Sequence, residues 1–223
     1  MIWFYRDAVG EGAWSLEEGQ WKSHASLIRE LRLHGEPVKT TYSGSSQTLK
    51  VVDLDHDGVD ELLVAYPGNQ GVLQWDPGKR TWVATDHYWP ENVFWIDPEG
   101  RDYGARLVDF SEDGFLDLVQ SNPDGYEAHC YIPQWVLGFQ KGWTRKILEG
   151  KATDAQALPA IVRKGPHPDN GAWFARGHLW VQNEDTAHLP DLVDRRSFKD
   201  ILMGYQPAPQ SIEDAIDQFQ LAK

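Results

Sequence analysis

Apolar positions along this chain come in short blocks broken by Gly, Pro, Asn and Asp, which is the rhythm of strands and turns. The pattern also repeats. Leu49-Lys-Val-Val-Asp-Leu-Asp-His-Asp-Gly-Val-Asp-Glu-Leu-Leu-Val64 aligns with Ala105-Arg-Leu-Val-Asp-Phe-Ser-Glu-Asp-Gly-Phe-Leu-Asp-Leu-Val-Gln120 at an offset of 56 residues. Each copy reads as an apolar strand, an acidic loop and a second apolar strand. Beyond the first copy, Gly71–Trp75 and Thr81–Thr85 flank Asp76-Pro77-Gly78-Lys79, a hairpin with Pro and Gly in its turn. Beyond the second come Tyr126–Ile132 and, after a longer connection, Trp143–Leu148. Residues 158–163 and 172–183 again read as strands, the latter split into a hairpin at Arg176-Gly177.

Helical periodicity is confined to three places. Ser23–Leu33 sets Leu27, Ile28 and Leu31 on one face, and Ser197–Met203 opens with a Ser cap. Ser211–Leu221 places Ile212, Ala215, Ile216 and Phe219 at helical spacing, after the stiff linker Gln206-Pro207-Ala208-Pro209. The expected class is all-β, built of propeller-type blades of about four strands, with a few peripheral helices. The 223 residues hold about four such periods, enough for a small four-bladed ring or an open segment of a larger one. The repeat domain is expected to cover residues 1–205, clearest over 45–100 and 101–150, with a linker and helix over 206–223.

Composition sharpens this picture in three ways. Eleven Trp residues are many for the length, and aromatic residues favour pleated, half-buried surfaces. The formal charge of −13, from 34 acidic and 21 basic residues, disfavours nucleic acid and anionic lipid as partners and suits divalent cations. A single cysteine, Cys130, provides for no intrachain disulfide, thiolate cluster or CxxCH haem attachment, and reads as a small core residue. No apolar run is long enough to span a membrane, and the opening Met-Ile-Trp-Phe-Tyr-Arg-Asp lacks the features of a signal peptide. The chain is therefore expected to be cytoplasmic or a piece of a longer exported protein.

The acidic loops carry the chemistry. Calcium takes six to eight oxygens from a flexible loop, and the spacing D-x-D-x-D-G-x-x-[DE] supplies them in order. Alternate residues aim carboxylates at one centre, Gly at the sixth position turns the chain, the seventh offers a carbonyl and the ninth closes the shell. In the first loop these roles fall to Asp53, Asp55, Asp57, Gly58, the Val59 carbonyl and Glu61. In the second they fall to Asp109, Ser111, Asp113, Gly114, the Phe115 carbonyl and Asp117. An EF-hand needs flanking helices and a bidentate Glu at the twelfth position, whereas Val64 and Gln120 stand there inside apolar strand patterns. Two calcium sites between strands are the expectation.

Over residues 45–150 these segments resemble FG-GAP or VCBS-type repeats, found in the integrin α-chain propeller and in many bacterial exported proteins. The resemblance implies propeller blades carrying structural calcium. Glu61 replaces the usual Asp in the first loop, and Ser111 weakens the third position of the second. A fainter resemblance covers Asn170–Phe174, His178–Thr186 and Leu189-Pro190-Asp191, which are similar to a region of large planctomycete and verrucomicrobial exported proteins. Those also carry a sugar-dehydrogenase-like propeller and a haem domain, which this chain does not match. It implies an exported, secreted or periplasmic bacterial parent.

Other chemistry is sparse. No HExxH, GxSxG, P-loop or Rossmann fingerprint occurs. His178 and His188 lie near Asn183-Glu184-Asp185, which reads as a polar turn whose side chains cap backbone groups. Glu184 and Asp185 would point to opposite faces of a strand and make a poor catalytic pair. Trp75, Trp82, Trp89 and Trp95 could stack on sugars, though such residues more often fill space between blades. The functional expectation is a calcium-stabilised binding or scaffold module with a protein or glycan partner and no catalysis of its own. The alternatives are a non-catalytic fragment of an exported sugar- or alcohol-dehydrogenase-like enzyme, and a carbohydrate-binding module.

Overall fold

The structure is a computed structural model, and it describes residues 2–6, 10–136, 138–154, 157–165 and 167–204. Strand makes up 45% and helix 8%, in five antiparallel sheets with two short helices, which is the all-β class that the pattern predicts. The chain divides into two compact units, one ending at Asp102 and the other beginning at Tyr103.

The first unit opens with an antiparallel sheet of β1 (Ile2–Arg6), β2 (Glu11–Glu17) and β3 (Gln20–Ser23). Helix α1 (Ala25–Arg29) and a small hairpin of β4 (Arg32–Leu33) and β5 (Glu36–Pro37) follow. A four-stranded meander completes the unit: β6 (Leu49–Val52), β7 (Glu61–Tyr66), β8 (Asn69–Asp76) and β9 (Thr81–Ala84). The second unit contains a matching meander of β10 (Ala105–Val108), β11 (Asp117–Asn122), β12 (Gly125–Ile132) and β13 (Gly142–Gly150). It ends in the sheet β14 (Ala172–Ala175), β15 (His178–Val181) and β16 (Asp194–Ser197), followed by α2 (Phe198–Gly204).

The first three strands of the two meanders repeat residue for residue. Leu49 pairs with Val64 and Val52 with Glu61; 56 positions on, Ala105 pairs with Gln120 and Val108 with Asp117. The tight turns obey the same offset, with Pro67 and Pro123 at the same place between the second and third strands. Even an edge contact recurs: Ala65 N donates to the Thr48 carbonyl and Ser121 N to the Gly104 carbonyl. The second strands, β7 and β11, are buried along their whole length, so both faces of each central strand are covered. Leu62, Leu63 and Leu73 are inaccessible to solvent or nearly so. Burying a side chain of that size stabilises by about 1.5–3 kcal/mol. In the second unit Val119, Ala128 and Cys130 share one core with Leu179, Val181 and Phe198. Register shifts between Ala128 and His129 and between Cys130 and Ile132 put bulges in the β12–β13 pairing.

Turn chemistry sets several of these pairings. Glu18-Gly19, His34-Gly35 and Arg176-Gly177 join consecutive strands, with both residues of each pair at positive φ. This is the left-handed turn whose twist matches a hairpin, and it explains why a Gly stands second each time.

Three expectations need correcting or bounding. The helix expected over Ser23–Leu33 forms only over Ala25–Arg29. The buried Arg6 guanidinium binds the carbonyls of Leu31 (2.8 Å), Val38 (3.3 Å) and Ile28, drawing the chain out of the helix and into the β4–β5 hairpin. The strand expected over 158–163 does not form; only Val162 bridges to Asp169. Pro159 has no N–H to give a ladder, and the Leu158 carbonyl is taken by Ser121 Oγ (3.1 Å). The helix expected over Ser211–Leu221 and its linker lie outside the described residues. By contrast, α2 begins after Ser197, whose Oγ accepts from Asp200 N at 3.0 Å as a cap should.

Candidate metal centre

Each acidic loop joins the first two strands of its meander, so the pairing of those strands holds both ends of the loop. Inside, the first Asp acts as a hub. Asp53 accepts from Asp57 N (3.1 Å) on one oxygen and from Gly58 N (2.9 Å) on the other. Asp109 does the same with Asp113 N (2.9 Å) and Gly114 N (3.0 Å). The fifth-position carboxylates cap their own turns, Asp57 accepting from Val59 N (2.7 Å) and Asp113 from Phe115 N (2.9 Å). The ninth residue reaches back to the loop entrance: Glu61 accepts from Leu54 N (2.9 Å), and Asp117 from Phe110 N (3.1 Å) and Ser111 N (2.8 Å). Backbone shape follows suit. The fourth residues, His56 and Glu112, sit at φ 62° and 60°, and Gly58 and Gly114 at 85° and 94°. The sequence spacing anticipates the glycines but not the left-handed fourth residue, which is neither Gly nor Asn.

The donors converge differently in the two loops. In the first, Asp53, Asp55 and Glu61 each bring a carboxylate oxygen within 4.8 Å of the others. Oxygens bound to one calcium at 2.3–2.6 Å lie at most about 5 Å apart, so these three fit one ion. Asp57, expected as a fourth carboxylate, is outside that group. The donors are all oxygen, the set that a hard cation prefers.

No protein-family model, curated protein or solved structure matches this chain.

In the second loop the residue matching Asp55 is Ser111, and that removes one carboxylate from the convergent trio. The Ser111 Oγ is buried beside the carboxylates of Asp113 and Asp117. Asp117 is fully buried. Burial is the main cause that pushes its carboxyl up to about 7, with the Asp113 charge adding to the rise. A hydrogen bond from Tyr131 N (2.9 Å), on the neighbouring strand β12, works against that rise. Burial also raises Asp113, helped by the charge of Asp109. Cys130 lies close by, and burial and then the Asp117 and Asp113 charges hold its thiol well above its ordinary value.

The other sites named from sequence resolve into structural roles. Glu184 pairs with Arg163, which holds its carboxyl below the ordinary range. Asn183 caps the turn Glu184–Thr186 in a capping box, and His178 Nδ1 lies 2.7 Å from the Arg176 carbonyl. Trp89 and Trp95 are buried against each other edge to face. Trp75 and Trp82 form a half-buried cross-strand pair. Among the described residues no helix is long and apolar enough to cross a membrane.

Proposed function

We propose that the chain is a calcium-binding β-repeat module of the FG-GAP or VCBS type that acts as a binding or scaffold domain within an exported bacterial protein. The observation that carries this reading is the repetition of one loop at an offset of 56 residues, with the same carboxylate-to-amide bonds and the same two left-handed residues. Acidic turns are common, but two copies built on one internal plan argue for a purpose beyond the turn. A hard cation fits because the convergent donors of the first loop are carboxylates and the seventh residue of each loop offers a carbonyl.

On this reading calcium links the first two strands of each meander and neutralises carboxylates that repel one another. Calorimetric titration of the purified chain with calcium tests it. Saturable binding with a stoichiometry of two, lost to one in Asp53→Ala, is expected. No binding at millimolar calcium would reject the proposal.

A further inference from the structure

The sheet β14–β16 turns one face to the core of its unit, through Leu179 and Val181. The opposite face carries a ladder of planar groups directly across three strands: Trp173 pairs with Trp180, and Trp180 with Arg195. The two indoles lie parallel within 9°, their centroids 6.0 Å apart. The Arg195 guanidinium sits 5.4 Å over the Trp180 ring. Trp180 is locked by its Nε1–H bond to the Ala175 carbonyl (3.1 Å) and flanked by the His178 ring.

Two features of this ladder are more than a stabilised hairpin requires. Trp173 is 42% exposed, and its Nε1–H meets no acceptor among the described residues. Arg195 is exposed and its side chain forms no ion pair or hydrogen bond among the described residues, in a chain of net charge −13 where carboxylates are abundant. Its neighbour Arg196, by contrast, is paired with Asp194. The face therefore presents a rigid aromatic surface, a free N–H donor and a stacked, unneutralised guanidinium, set across two strand spacings, roughly 10 Å.

We propose that this face binds a hexuronate-containing oligosaccharide, one pyranose ring stacked on Trp173 and the carboxylate of a neighbouring ring paired with Arg195. The apolar C–H face of a pyranose matches a flat indole, and ring hydroxyls reach the Nε1–H. A guanidinium takes a carboxylate through two parallel hydrogen bonds, which is the recognition that an unpaired Arg supplies. The platform uses none of the acidic-loop residues, so it stands or falls apart from the calcium reading.

Calorimetric titration of the whole chain with trigalacturonate, at equal calcium in cell and syringe, tests it. The wild-type protein is expected to bind it saturably, and a neutral trisaccharide such as maltotriose about tenfold more weakly. Trp173→Ala and Arg195→Gln should each weaken trigalacturonate binding about tenfold, a loss of 1.4 kcal/mol. Trp173→Tyr, which keeps a ring on the same strand, should retain most of it, and thermal melts confirm that each variant is folded. Absence of binding at millimolar trigalacturonate overturns the proposal, as does equal binding of the neutral sugar or an unchanged affinity in either variant. If calcium still titrates normally in such a protein, the platform alone is wrong.

Discussion

The loops at Asp53 and Asp109 share a backbone and differ in what they offer an ion. The first brings three carboxylates together, while the second places a neutral hydroxyl where the first has Asp55; both bury their closing carboxylate, Glu61 and Asp117. Loop shape and ligand charge are thus separable properties. The shape comes from hub aspartates bonding their own amides, and it survives the loss of a donor. Affinity depends on the donors themselves and is expected to diverge between the copies.

The largest expected effect bears on both loops together. Thermal melts in millimolar calcium and in chelator should differ by on the order of 5–10 °C, because an ion bound only by the folded state stabilises by mass action. Superimposable melts would dissolve the comparison at its root. Next comes the ranking of the loops. Asp53→Ala leaves the second loop intact and Asp109→Ala the first, and the Asp109→Ala protein should bind calcium about tenfold more tightly. Equal affinities in the calorimeter would mean that the third-position carboxylate does not matter.

A smaller effect sharpens the cause. In an Asp53→Ala background, Ser111→Asp should tighten the remaining site by roughly threefold to tenfold, since it restores the missing anion beside an otherwise matching frame. A weaker site would show that repulsion from Asp113 and Asp117 outweighs the added charge. Smallest is the pH dependence. Asp117 titrates near 7 in the folded chain, far above an unfolded carboxyl. Its contribution to stability in chelator is therefore present at low pH and is lost as pH rises from about 4 through 7. Calcium at the second loop needs the ionised form, so its affinity should fall as pH drops from 8 to 6. Titrations of Asp53→Ala protein that are flat over that range would contradict the buried-carboxyl account.

Much of this was legible in the sequence because it is local. The Asp and Gly spacing fixes the loops, and short apolar runs fix β6, β7, β10 and β11 around them. What escaped depends on partners far along the chain. Nothing near Arg6 shows that it will bind carbonyls of Ile28, Leu31 and Val38 and so shorten α1. Likewise, the Tyr131 N–H that meets Asp117 comes from another strand. Strand β3 was invisible for a different reason: Gln20–Ser23 is exposed along its length and has no apolar alternation to read. Sequence places the candidate stacking aromatics beside acidic turns, at Trp75, Trp82, Trp89 and Trp95. The exposed pair stands instead on β14 and β15, where only the cross-strand register brings Trp173 and Trp180 together.

The bulged pairing of β12 with β13 has a further consequence, for behaviour in crowded solution. An edge strand is a template on which another chain can extend a sheet, the first step toward fibres. Strand β9 limits that hazard by brevity, with four residues. At nine residues β13 is too long for that defence. Two register shifts bend it, and exposed Lys146 and Glu149 put charges of both signs along it. A straightened β13 with Val in place of Lys146 would be the part of this molecule most apt to recruit a second copy. The irregularity is what keeps a long edge from becoming an adhesive one.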